Sequence, residues 1–576
     1  MDITILKDNI LAHFLIEIKQ NTNYLIFTEM KTKLFFASML FACAALMVNA
    51  QGYKDGIDFY KIGKYDDAKE LLERNLSTAS NKAEAYYYLG QVALHQGEKA
   101  LAKSYFDKGV QADAKYPFNY IGMAAIELQN GNEKGAENFY KQAEKCTKKN
   151  PKVAVAMAKT YFEVDANKYS KKIDKLTQNA FKWNSEDPDY YIFQGDMLGV
   201  QKQWGAAGNQ YELAFQREPA NIESRVKYAR VDFFLDENRA VKALEDLLSL
   251  VPNSALVQRE LAEKYYDAEQ IKGNLPKAVE YYGMYYNNPN HFEKDEVRYA
   301  QLLWITKNYD KSLAVCNSLI SKTESPANKF FGYRLKFYNQ CSKSDWESAV
   351  VTGAEFFALP ESSATPYLVS DYSYYAAALN NTNRGAEAVA VFEKAIEQYP
   401  DNNDLRAQLA SFYSKNKDYV KAANLRQEIV NGGNYTTGDL YQLGSAYCRV
   451  AENVSDEAIK QDAILKAKNA VYELIEKEPN DLANINLLAR VETLIENNEY
   501  KGGALNTYQK LLTALDANKN DPNANYYYIM AYRYMATYYS KNGQAEVANE
   551  YYKKWLQYDP ENESLRKYVD QLNQNK

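Results

Sequence analysis

The 576-residue chain is 46% apolar and 25% charged, with 69 basic against 75 acidic residues and a formal net charge of −6. That apolar content suffices for a core and is too ordinary for a disordered chain. The acidic balance argues against nucleic-acid partners, since phosphate-backbone binding needs a sustained basic face. Length alone suggests about four domains at roughly 150 residues each.

The chain begins with two segments that stand apart from the rest. Residues 30–50 read as an export signal. Met30 and the charges of Lys31 and Lys33 are followed by the apolar run Leu34–Val48, and Val48-Asn49-Ala50 has the small-x-small form of a cleavage site before Gln51. The run falls short of the about 20 residues needed to span a bilayer. Leu40-Phe41-Ala42-Cys43 loosely matches a lipidation motif. Phe41 fits poorly there, and the apolar run continues past Cys43. A signal normally sits at the very start, so residues 1–29 are expected to be a mis-assigned upstream start. The alternative is a short amphipathic extension over Ile3–Ile18.

From Tyr53 onward one pattern recurs. Gly56, Tyr60, Ala68 and Leu72 open it, and Leu89-Gly90, Ala102 and Phe106 repeat it. Gly122–Ala143 and Ala158–Ala180 are weaker copies, and Gly195–Ala207–Pro219 is a clear one. Ala229, Ala240, Leu244 and Pro252 fit with one residue deleted, and Ala262, Tyr265, Ala278, Tyr282 and Pro289 with a longer inter-helix turn. Weak copies at Ala300–Leu319 and Phe337–Phe356 precede the clear triplet Ala376–Ala388–Pro400. Leu409-Ala410, Tyr413 and Ala422 follow, then Leu443-Gly444 and Tyr447 with an insertion before Ala467 and Pro479. Ala489–Leu511 is weak, Ala536–Ala548–Pro560 is clear, and Glu561–Lys576 carries the stripe Leu565, Val569 and Leu572 expected of a capping helix.

The spacing has a physical reason. Two antiparallel helices that cross closely need Gly or Ala at the crossing, and a Pro cannot continue a helix, so it falls just past the second one. One such pair cannot bury its apolar face, but stacked pairs can. The pattern resembles the tetratricopeptide repeat, with a period of about 34 residues and roughly 14 copies over residues 51–560. The resemblance implies an all-α, right-handed superhelical solenoid of stacked antiparallel helix pairs, one extended unit without globular boundaries. It also implies a concave face supplied mainly by the first helix of each pair. Mapped onto this chain, the groove positions are Tyr87, Gln91, Asp196, Arg230, Glu263, Tyr266, Gln301, Trp304, Tyr441 and Arg533, with Thr537. Some family members hold a peptide's terminal carboxylate with clustered Lys, Arg and Asn. No run of these stands at adjacent groove positions here, so the resemblance does not extend to that mode.

Catalytic constellations are scarce. The chain has three His: His13 lies ahead of the signal, and His95 and His291 read as exposed polar residues without a metal or triad motif around them. Neither GxxxxGK[ST] nor HExxH occurs. Glu186-Asp187 precede Pro188 and read as a helix start rather than a pair of catalytic acids. Cys146, Cys316, Cys341 and Cys448 form no CxxC pair and read as small packing residues. The alternative is an approach of Cys316 to Cys341. The 51 Tyr, often in pairs or triplets, read as packing residues whose hydroxyls reach the helix edge; the alternative is a groove-facing recognition surface.

The expectation is a non-catalytic protein–protein interaction scaffold or adaptor, exported to the periplasm or the periplasmic face of the outer membrane. It would take protein partners, no cofactor, no metal and no nucleic acid, and associate with the membrane only indirectly. The alternative is a glycan-binding outer-membrane nutrient-uptake component, which the Tyr content and five Trp permit.

Overall fold

The computed structural model describes residues 52–267, 274–518 and 520–574. The 1–29 extension, the signal at 30–50, His13 and Cys43 lie outside these residues. The described chain is all-α; apart from one isolated bridge between Ser362 and Thr365, no extended pairing occurs among the described residues. It divides within the helix Pro326–Ser342 into two compact units, Met1–Asn339 and Gln340–Lys576, a boundary that the repeat pattern does not mark.

The first unit is a run of antiparallel helix pairs. They are 52–61 with Tyr65–Asn75, Lys82–His95 with Lys99–Ala112, Phe118–Gln129 with Glu133–Cys146, and Pro151–Asp165 with Ser170–Trp183. Pro188–Val200 with Trp204–Arg217, Ile222–Asp232 with Glu237–Leu250, Ala255–Asp267 with Leu275–Tyr286, and Glu293–Ile305 with Tyr309–Lys322 continue it. The crossing residues are small because a side chain already fills the space. Phe106, fully buried, sits between Gly90 and Gly122, and a Cβ on either glycine would lie 2.3 Å from its ring. Tyr211 occupies the same place against Gly195. Asn or Asp side chains cap many of the helices: Asn81, Asn132, Asn150, Asn221 and Asp236 each accept from a backbone N–H three residues on. Asp187 accepts from the N–H of Asp189, two residues on, in the helix-start role read from the sequence. The turn inside several of the pairs passes through the left-handed region at corresponding places, Gly63, Gly97 and Gly131 among them, where glycine carries no Cβ penalty.

The first helices of successive pairs pack on one another from Lys82–His95 through Ala255–Asp267, whereas successive second helices make no comparable contact. The array therefore curves with the first helices on the inside. In this unit the curve closes. The opening pair, 52–75, packs into the core built by residues 222–302, with Phe59 edge-on to Phe292 at 5.2 Å between centroids. Arg259 donates to Asp67 at 2.6 Å, Asn290 to Asp55 at 2.7 Å, and Arg230 to the Ile62 carbonyl at 2.8 Å. Lys294 reaches Asp67 as well.

The second unit continues with Trp346–Phe357, then Val369–Asn381 with Gly385–Gln398, Asn403–Lys415 with Tyr419–Asn431, and Thr437–Asn453 with Glu457–Lys477. Leu482–Ile495 with Leu505–Ala517 and Ala524–Lys541 with Ala545–Tyr558 follow. The insertion between Tyr447 and Ala467 lengthens both helices of its pair, to 17 and 21 residues. The helix Glu563–Gln574 buries Leu565 and Val569.

Tyrosines fill much of the packing. Tyr53, Tyr282, Tyr285 and Tyr372 are among the largest fully buried side chains, and Tyr265 and Tyr281 both donate to Glu245. The four described cysteines are free thiols, and Cys316, Cys341 and Cys448 are buried, so the alternative of a Cys316–Cys341 bond does not hold.

Candidate functional site

Closure of the first unit leaves a half-open cavity of about 270 Å³ on the inner face. Tyr60 and Lys61 from the opening helix form one wall. Tyr87, Tyr88 and Gln91, then Lys159 and Glu163, then Asp189 and Asp196, come from successive first helices opposite, with Glu223 between. Three of the groove positions read from the sequence, Tyr87, Gln91 and Asp196, line this one space. A neighbouring cavity of about 660 Å³ shares Gln91, Thr160 and Glu163 with it and runs to the pair turns at His95, Asn167 and Gln201.

The walls are charge-matched. Lys227 bonds both carboxylate oxygens of Asp196 and one of Glu223, each at 2.8 Å, and Lys61 lies 3.5 Å from Glu223. Lys152 stands 3.9 Å from Asp189 and Lys159 4.0 Å from Glu163. Burial alone would raise the Glu223 pKa, but the ammoniums of Lys227, Lys61 and Lys159 outweigh it and bring it to about 2. Burial pushes the Tyr87 hydroxyl up to about 12 despite the Gln91 hydrogen bond that favours its ionised form. The carboxylates are engaged as ion-pair partners, and no nucleophile stands beside a free base. No group of three His, Cys, Asp or Glu that could hold a metal occurs among the described residues.

The remaining sequence-derived positions are dispersed. Arg230 belongs to the closure, bridging Glu260 and the Ile62 carbonyl. Glu263 accepts from Tyr282, and the Arg298 guanidinium covers Tyr266 at 4.7 Å. Trp304 is half-buried, 5.5 Å from Tyr338. Gln301 and Arg533 are exposed, with Thr537 donating to the Arg533 carbonyl at 2.9 Å, and Tyr441 packs half-buried on the core around Leu443. His291 is not the free surface residue read from the sequence. It is half-buried, with its ring nitrogens 2.7 Å from the Asn288 carbonyl and 2.8 Å from the buried Glu296. His95 is exposed, with its ring stacked on Tyr65 at 4.3 Å.

The second unit has its own groove. Cavities of about 250 and 460 Å³ adjoin through Ser411, Lys415 and Arg426. One end is apolar, with Ala376, Phe392 and Phe412; the other gathers Lys415, Arg426 and Arg449. The sequence reading found no run of Lys, Arg and Asn at adjacent groove positions, and this cluster forms outside such a run. Arg426 lies on the second helix of its pair, a position that mapping onto first helices passes over. The signal was present as basic residues on three neighbouring helices.

Tetratricopeptide repeat family models match residues 53–117 and 382–431, one stretch in each compact unit. The chain carries tetratricopeptide repeats in both stretches. Among solved structures, the repeat protein is similar to the C-terminal part of a TPR repeat-containing protein from Cytophaga hutchinsonii, at 21% identity over 47% of this chain and 98% of that one, with a TM-score of 0.39. It is similar to yeast Tom70 at 12% identity, over 92% of this chain and 99% of that one, with a TM-score of 0.28. It is also similar to Pseudomonas aeruginosa pilF at 17% identity, over 40% of this chain and 98% of that one, with a TM-score of 0.27. No curated protein matches the chain significantly. Among the described residues no helix is long and apolar enough to cross a membrane.

Proposed function

We propose that this repeat protein is a non-catalytic scaffold or adaptor of the bacterial cell envelope that grips segments of protein partners on the inner faces of its helix pairs. The observation that carries this reading is the lining of those faces. In both units the inner helices open into cavities that mix aromatic rings, charged groups and amides without a reactive constellation. Such surfaces suit extended polypeptide, with aromatics and Arg supplying most of the energy. The envelope location draws on Met30–Ala50 alone, whose charges, apolar run and small-residue site have the form of an export signal.

Two experiments test it. Crosslinking the Gln51–Lys576 protein in an envelope fraction, with mass spectrometry of what it captures, is expected to return one dominant protein partner. Lys159→Glu, on the wall of the first cavity, or Lys415→Glu, in the second groove, is expected to abolish capture. Co-purifying glycan with no protein would instead favour the nutrient-binding alternative. A fusion of residues 30–60 to alkaline phosphatase is expected to be active only outside the cytoplasm; an inactive, cytoplasmic fusion sinks the envelope assignment.

A further inference from the structure

The second unit holds three cations around one cavity of about 250 Å³ whose lining contains no Asp or Glu. Lys415 ends the first helix of one pair, Arg426 comes from the second helix of that pair, and Arg449 from the first helix of the next. The two guanidiniums are aimed by hydroxyls one turn apart on a single helix. Arg449 donates to Ser414 at 2.7 Å, and Arg426 donates to Ser411 and to the Ala407 carbonyl, both at 3.3 Å. These acceptors are neutral, and none of the three cations forms an ion pair among the described residues. Three nearby acids are engaged elsewhere: Glu428 lies 3.6 Å from Arg406, Asp418 3.2 Å from Lys421, and Asp439 accepts from Thr436 at 2.8 Å; Asp404 lines the adjoining cavity that Lys415 and Arg426 also border. Elsewhere in this acidic protein, cations on the inner face are matched; Lys61, Lys227 and Lys159 all face carboxylates. Like charges gathered without a counter-charge repel one another, so the cluster is stabilised by an anion that sits among them.

We propose that this cavity is a binding site for a phosphoryl group. A single carboxylate would neutralise one of three charges. A phosphomonoester carries about two negative charges near neutral pH and three acceptor oxygens, which two planar guanidinium forks and an ammonium can engage together. The hydroxyl of Ser445 and the Gln442 amide on the same wall supply further donors, and the Tyr419 side chain provides a face for whatever bears the phosphate. Burial lowers the pKa of Arg426 by more than the more distant Asp439 carboxylate raises it, the mark of a cation held partly out of water. The site is independent of whether the protein carries partners in the envelope.

The test is isothermal titration calorimetry of the Gln51–Lys576 protein at fixed ionic strength with inorganic phosphate, with glucose 6-phosphate and with a short Asp/Glu-terminated peptide. Saturable phosphate binding is expected. Arg426→Gln and Arg449→Gln are each expected to weaken it by about tenfold or more. Arg426→Lys is expected to recover only part, since it keeps the charge and loses the fork, and Lys103→Gln, an exposed residue of the first unit paired with Asp107, to leave affinity unchanged. Tighter binding of glucose 6-phosphate than of phosphate identifies a sugar-phosphate source; equal affinities identify the free ion. Arg449 is exposed, so its variant tests the site even if Arg426→Gln unfolds. Absence of saturable phosphate binding, binding indifferent to both Gln substitutions, or a preference for the acidic peptide over both phosphates overturns the proposal.

Discussion

The Arg259 guanidinium donates to the Asp67 carboxylate at 2.6 Å across 192 residues of sequence, and its other face donates to Asp295 at 3.0 Å. This pair, with Lys294 on the far side of Asp67, ties the opening helix pair to the seventh and eighth and turns a curved row of helices into a closed one. Asp67 is nearly buried, and burial would raise its pKa; Lys294 and Arg259 overcome that and lower it. Removing one partner of such a pair leaves a buried charge uncompensated. Asp67→Ala is therefore expected to destabilise the first unit by about 3 kcal/mol, read from urea denaturation. Hydrogen exchange should quicken first in 52–75. Unchanged protection there would mean that the apolar contacts around Phe59 alone hold the closure.

The wedge of Phe106 between Gly90 and Gly122 makes a steric prediction. A Cβ at either glycine would meet the ring at 2.3 Å in a fully buried site. Gly90→Ala should cost about 1–3 kcal/mol through overpacking. Combining it with Phe106→Leu should cost less than the sum of the two single changes, because the smaller side chain makes room. Additive costs in a double-mutant cycle would show that the helices separate rather than clash.

Acid and base should each weaken the closure, through different carboxylates. Glu223 titrates at about 2 when folded against an ordinary 4.5, so its contribution is complete above 4.5 and is lost as pH falls toward 2. Asp67, also lowered, acts in the same direction. Asp58 is the reverse case. Burial raises its pKa to about 7; Lys61 opposes the rise, while Asp55 and Glu223 add to it. The folded state thus retains a proton that the unfolded chain releases near 3.8, and stability falls as pH rises from about 4 to 7. The loss is at most about 4 kcal/mol. The melting temperature should decline between pH 5 and 8, and Asp58→Asn should flatten that decline while leaving the melt at pH 4.5 nearly unchanged. A parallel decline in the variant would rule Asp58 out as its source.

Thiol chemistry offers a direct check on packing. Burial pushes the Cys316, Cys341 and Cys448 thiols up to about 12, whereas Cys146 is half-exposed, with its thiol donating to the Ala114 and Gln142 carbonyls. Only a thiolate attacks an alkylating agent. The native Gln51–Lys576 protein should take up label at Cys146 first, and the other three should react only on unfolding. Early labelling of Cys316 or Cys341 would show that the helices bearing them open locally.

The sequence by itself determined the helix pairs, because the constraint that writes them is local and periodic. A close crossing demands Gly or Ala, as at Gly195 and Ala207, and a helix end tolerates the Pro219 that follows. The resemblance to the tetratricopeptide repeat also implied a concave face holding Tyr87, Gln91 and Asp196, and all three line one cavity. Only the tertiary structure decided that these residues share one cavity with Lys61 and Glu223. Whether a curved array stays open depends on how small rotations accumulate over seven pairs and on contacts such as Asp67 with Arg259, which no repeat unit encodes. The same reason hid the cation cluster. Lys415, Arg426 and Arg449 lie on three helices and not at one repeat position, and their convergence follows from the stacking angle between pairs, a long-range property of packing.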